Sequence, residues 1–84
     1  MTIWPPRPGT LKRPAYRYLA QAVVSAIETG ALRPGDRLPT HRELAYQLGL
    51  SVQTVSRAYE ELIRIEMIVG EVGRGTFVST AARE

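Results

Sequence analysis

The stretch LGLSVQTVSRAYEEL, residues 48 to 62, gathers the side chains with the most chemistry to offer. Read as a helix from Val52, it places Val52, Val55, Ala58, Tyr59 and Leu62 within about a third of the helix circumference. Gln53 and Arg57 stand opposite that apolar stripe, flanked by Thr54 and Ser56. Acids follow only at Glu60 and Glu61. This order suits a helix whose first turns enter the major groove of duplex DNA, because early carboxylates would meet phosphate. Gln pairs with adenine, Arg with guanine or phosphate, and a Thr methyl can touch the methyl of thymine. The later charges also have a purely structural account. Glu60 with Arg64, and Arg57 with Glu61, are four apart and can pair along the helix.

Two further arginines fit the same chemistry. Arg42 falls in the first turn of the preceding helix, where amides and the helix dipole favour an anion and a cation is locally unfavourable. A phosphate partner is expected there, with a surface salt bridge as the alternative. Arg74, between Gly73 and Gly75, is placed near a hairpin tip, where it can reach phosphate or the minor groove. His41, the sole histidine in a chain without cysteine, does not make a zinc site. It is expected on the surface of that first turn, near a phosphate. Ser51 reads as a helix cap rather than a nucleophile, since no base stands at a recognisable spacing. GEVGRG lacks the Lys-Ser/Thr ending of a nucleotide-binding loop.

The elements that must position these groups can be read from caps and periodicity. Residues 1–13 are rich in proline and form an N-terminal arm with Trp4 as its large apolar anchor. A first helix is expected from Pro14, with Tyr16, Leu19, Ala20, Val23, Ala26 and Ile27 on one face and Gly30 as its stop. Pro34-Gly35 marks a turn, and Arg37-Leu38 a very short strand. Thr40 and Glu43 form a capping box, opening a second helix at His41 that Gly49 closes. Ser51 then caps the third. Helix, glycine turn and helix make a helix-turn-helix. The runs Met67–Val69 and Thr76–Ser79 flank Val72-Gly73-Arg74-Gly75 and predict a β-hairpin. The expected fold is α+β: a winged helix-turn-helix of three helices followed by a two-stranded wing, residues 14–79, with 80–84 beginning a linker.

Length and composition agree with one small domain: 84 residues, 44% hydrophobic, net charge +3 and pI about 9.8. The basic excess is compatible with nucleic acid and lies early, since Arg7, Lys12, Arg13 and Arg17 all precede Glu28, the first acid. There is no transmembrane run and no signal-like apolar region, and the absence of cysteine fits a reducing cytoplasm.

GALRPGDRLPTHRELAYQLGLSVQTVSRAYEELIR, followed by VGRGTFV, resembles the DNA-binding domain of GntR-family bacterial transcription regulators, from about Pro14 to Val78. LPTHRELA and GEVGRGTFV, with Trp4 ahead, look most like the MocR-type branch. The resemblance implies a duplex DNA partner and no catalytic role. It implies contacts by Arg42, Ser51, Val52, Gln53, Thr54 and Ser56 and by the wing residues Gly73 and Arg74. Many members carry a basic residue in place of Val52, and often in place of Ser56, which shifts base reading here to Gln53 and Arg57. Glu66 stands where a glycine commonly ends the third helix, so that end is expected to run differently. The MocR likeness further implies a large aminotransferase-like effector domain with pyridoxal phosphate. A chain of this size cannot contain one and holds no cofactor. STAARE reads as the start of its linker, so the chain is expected to be an excised, monomeric head of a protein that dimerises elsewhere. The competing reading is a winged helix that binds protein rather than DNA.

Overall fold

The computed structural model describes residues 14–71 and 73–80; the arm with Trp4, Val72 and the last four linker residues lie outside them. The elements run α1 (Ala15–Thr29), β1 (Arg37–Leu38), α2 (His41–Leu48), α3 (Val52–Arg64), β2 (Ile68–Glu71) and β3 (Gly75–Val78). Leu19, Val23, Ala26 and Ile27 of α1 meet Leu44, Ala45 and Leu48 of α2 and Val55, Ala58, Tyr59 and Leu62 of α3 in one core. Pro14 is the residue before α1 rather than its first residue. Val52, expected in the apolar stripe, is 45% exposed. It lies one turn ahead of Val55, the first residue of α3 that the core covers.

Local signals set the helix ends. Glu43 N–H donates to Thr40 Oγ1 at 3.0 Å and Thr40 N–H donates to Glu43 Oε1 at 2.9 Å, the reciprocal box that opens α2. The donated bonds hold the Glu43 carboxyl below its ordinary value. Gly49, at φ 68°, closes α2 in the left-handed conformation that costs glycine least.

The wing departs from the expected two strands. β1 joins it, giving a three-stranded antiparallel sheet in the order β1-β3-β2. Asp36 makes this possible: its Oδ2 accepts from Arg33 N–H at 2.9 Å and tightens the turn. The ends of the strands are then tied by Gly35 N–H to the Val78 carbonyl at 2.9 Å and Val78 N–H to the Asp36 carbonyl at 2.8 Å. Arg37 faces Phe77, and Leu38 faces Thr76.

The end of α3 was expected to run differently because Glu66 replaces a glycine, and it does not. Glu66 takes the glycine-like conformation itself, at φ 65°. Its N–H donates to the Ile63 carbonyl at 3.0 Å, and Met67 N–H donates to the Leu62 carbonyl at 2.9 Å, which together make a Schellman cap. A non-glycine residue is strained in this region by about 1–2 kcal/mol. Glu66→Gly relieves that strain against the extra entropy of an unfolded glycine, so a net gain of up to about 1 kcal/mol is expected. Thermal unfolding checks it: Tm should rise by several degrees, and a fall would show that the Glu66 side chain contributes more than its backbone costs.

Candidate nucleic-acid interface

The helix-turn-helix is held at its corner by side chains from both helices. His41 Nδ1 and Ser56 Oγ are 2.8 Å apart, and the His41 ring meets Tyr59 edge-on at 4.7 Å between centroids. Tyr59 O–H donates to the Pro39 carbonyl at 2.8 Å, and burial raises the phenol well above its ordinary range, with the Glu43 charge adding to the effect. His41 is therefore a half-buried bracket between α2 and α3, not the surface residue expected from its place in the first turn. Ser56, expected at the DNA surface, has its hydroxyl engaged by this bracket. Sequence separation hid the contact, since its partners lie 15 residues apart.

The start of α3 is fixed more locally. Thr54 N–H donates to Ser51 Oγ at 3.1 Å, and the two hydroxyl oxygens are 2.9 Å apart. Gln53 is exposed, and its amide has no hydrogen bond among the described residues. Arg57 is exposed too, with its guanidinium carbon 4.3 Å from the centre of the Tyr16 ring. Such a contact contributes about 0.5–1 kcal/mol at an exposed site. Arg57 is thus drawn toward α1 rather than paired along its own helix. Its expected partner Glu61 instead accepts from Arg64 Nη2 at 2.8 Å, which lowers the carboxyl's pKa and raises the guanidinium's. Ser51, Gln53, Thr54 and Arg57 line one open groove of about 390 Å³ with Pro14, Ala15 and Tyr16.

Gly73 and Arg74 line a second groove, with Arg37, Thr40 and Glu71 among its other walls. Gly73 sits at φ 76°, which lets the hairpin turn, and Arg74 Nε lies 3.6 Å from Glu71 Oε1 on the surface. Arg37 is a cation that sequence reading left out of the wing. A Cβ on Gly75 would come within 3.0 Å of Arg37 Nε, so the glycine makes room for this arginine to lie across β3. The only advance sign was the two-residue strand itself. Arg42 lines neither groove. It is exposed and has no hydrogen bond or ion pair among the described residues, so the salt bridge weighed for it is absent there. Among those residues no three His, Cys, Asp or Glu side chains gather as a metal site would require, and no helix is long and apolar enough to cross a membrane.

A family model described as "Bacterial regulatory proteins, gntR family" matches residues 15–78. The chain belongs to the GntR family. The GntR domain is 43% identical over 67 residues to the HTH-type transcriptional regulator Rv1152 of Mycobacterium tuberculosis, covering 80% of this chain and 55% of that protein. It is 40% identical over 78 residues to the HTH-type transcriptional repressor YtrA of Bacillus subtilis, covering 93% and 58%. The chain thus spans little more than half the length of these curated relatives. Among solved structures, the AraR DNA-binding domain in complex with operator ORX1 superposes with a TM-score of 0.76 at 31% identity, over 81% of this chain and 82% of that one. The likeness to the MocR-type branch, and with it pyridoxal phosphate, gains no support from these relatives, and the assignment stands at the GntR family.

Proposed function

We propose that this GntR domain binds duplex DNA sequence-specifically, as the cytoplasmic reading head of a bacterial transcription regulator. The observation that carries the reading is the first turn of α3. It presents to solvent a Gln53 amide that has no hydrogen-bond partner among the described residues, on a helix whose angle to α2 is fixed by His41, Ser56 and Tyr59. A reading helix needs such rigidity, because base edges are recognised by hydrogen bonds of defined direction. On this reading the Ser51–Arg57 half of α3 lies in the major groove. Arg42 holds a phosphate, and Gly73 and Arg74 bring the wing to the backbone or minor groove. The AraR complex with its operator supports the same use of the fold.

Titration into random duplex at rising salt tests this. Affinity should fall steeply, with a logarithmic slope of about −0.9 for each phosphate neutralised, whereas a protein-binding winged helix would show no such slope. Arg42→Ala should weaken binding to all sequences alike and flatten the slope by about one. An unchanged slope would remove Arg42 from the backbone contacts.

The main apolar face of each helix is turned into the core, and the large apolar residues left exposed on them, Tyr18, Tyr46, Val52 and Ile63, are single residues spread over three helices rather than one seam. Two heads about 34–36 Å apart are the usual way such domains reach useful affinity, and pairing is assigned here to a part of the regulator outside this chain. Sedimentation without DNA should give a monomer; a stable dimer would contradict the assignment.

A further inference from the structure

Resting on the DNA-reading function proposed above, we infer that α3 reads an A·T core in its half-site, with Val52 against a thymine methyl and Gln53 on an adjacent adenine. Each base shows the major groove a different edge. Guanine asks for a bidentate cation, adenine for an amide, and thymine offers a methyl for apolar contact. Between Ser51 and Arg57 the sole cation is Arg57. Its guanidinium is stacked on Tyr16 of α1, so reaching a guanine would first give up that stack. The hydroxyls are also engaged: Ser51 and Thr54 with each other, and Ser56 with His41.

What remains free at the leading turn is one apolar residue beside one amide. Val52 is 45% exposed although it is branched and apolar, and the core gives no reason for it to be there. Gln53 is its immediate neighbour, exposed and without a hydrogen-bond partner among the described residues. An apolar knob next to a two-way hydrogen-bonding group complements a thymine followed or preceded by adenine. It complements a G·C pair poorly, because that pair has no methyl and would leave the amide with mismatched donors and acceptors. Arg57, held at the groove's edge over Tyr16, is placed to meet backbone phosphate instead.

The test begins with selection of bound sequences from a random duplex pool, using the chain at low salt. The recovered core should be A·T. Each thymine of the best duplex is then replaced by uracil, which removes the methyl and leaves base pairing unchanged. At one position uracil should weaken binding about fourfold, the worth of one buried methyl. Val52→Ala should bind the thymine and uracil duplexes alike. Gln53→Ala should lose about tenfold in its preference for the neighbouring adenine. A recovered G·C core whose preference vanishes in Arg57→Ala would overturn the inference. So would a uracil penalty that persists in Val52→Ala. Either result leaves salt-dependent binding to random duplex intact, and so is distinguishable from failure of DNA binding itself, which would overturn both.

Discussion

Leu62→Ala should lower the melting temperature by at least about 8 °C, which corresponds to about 2 kcal/mol in a domain of this size. Leu62 is fully buried, in α3, within the core that α1 and α2 share. Its carbonyl also receives Met67 N–H at 2.9 Å, where the chain leaves α3 for the wing. Truncating a buried leucine costs about 2–5 kcal/mol, because a cavity remains where the side chain was. At about 0.05–0.15 kcal/mol per residue, a folded domain of 84 residues has about 4–12 kcal/mol to lose. At the lower end of that range a substantial fraction would unfold at physiological temperature. Ile63→Ala, one residue along but 45% exposed, is the contrast and should shift Tm far less. Equal small shifts for both would place Leu62 on the surface.

Gln53→Ala should cost about 1–3 kcal/mol on the preferred site, about 5- to 150-fold in affinity, and little on scrambled DNA. The amide is exposed and contributes nothing visible to the fold, so the loss should appear in binding with Tm unchanged. Arg57→Ala is the informative companion. From its place opposite the apolar stripe it was expected to read a base, yet its guanidinium lies over Tyr16. Its loss should therefore weaken preferred and scrambled duplexes alike. Equal losses on both duplexes for Gln53→Ala would make that residue a backbone contact as well.

What could be read in the sequence was what short-range chemistry decides. Thr40 with Glu43, Ser51 with the Thr54 amide, and the turns at Gly30 and Gly49 are contacts within a few residues, and all four elements of that reading are present. Hydrophobic spacing placed Val55, Ala58, Tyr59 and Leu62 in the core for the same reason. Contacts between distant residues escaped it. A two-residue β1 has no periodicity to announce that it pairs with β3, and the backbone bonds that tie it there join residues some forty positions apart. His41 reads as a surface group because its helix position alone does not show Ser56 and Tyr59 waiting on α3. Tyr16 packs against the core as its spacing indicates, but its contact with Arg57 joins α1 to α3 and has no local signal in the sequence. Glu66 shows the opposite error. The residue type argued for a different helix end, but the tertiary path from Leu62 into β2 imposed the left-handed conformation on a glutamate.

The central claim is that the leading half of α3, with Arg42 and the wing tip, is the surface that meets duplex DNA. Amide chemical-shift mapping during titration with duplex tests it most directly. Ser51 to Arg57, Arg42, Gly73 and Arg74 should move first and furthest, and the shifts should shrink as salt is raised. Shifts confined instead to the outward wing residues Val69 and Phe77, or to the far end of α1 near Glu28, would contradict the account, as would no shift at low salt.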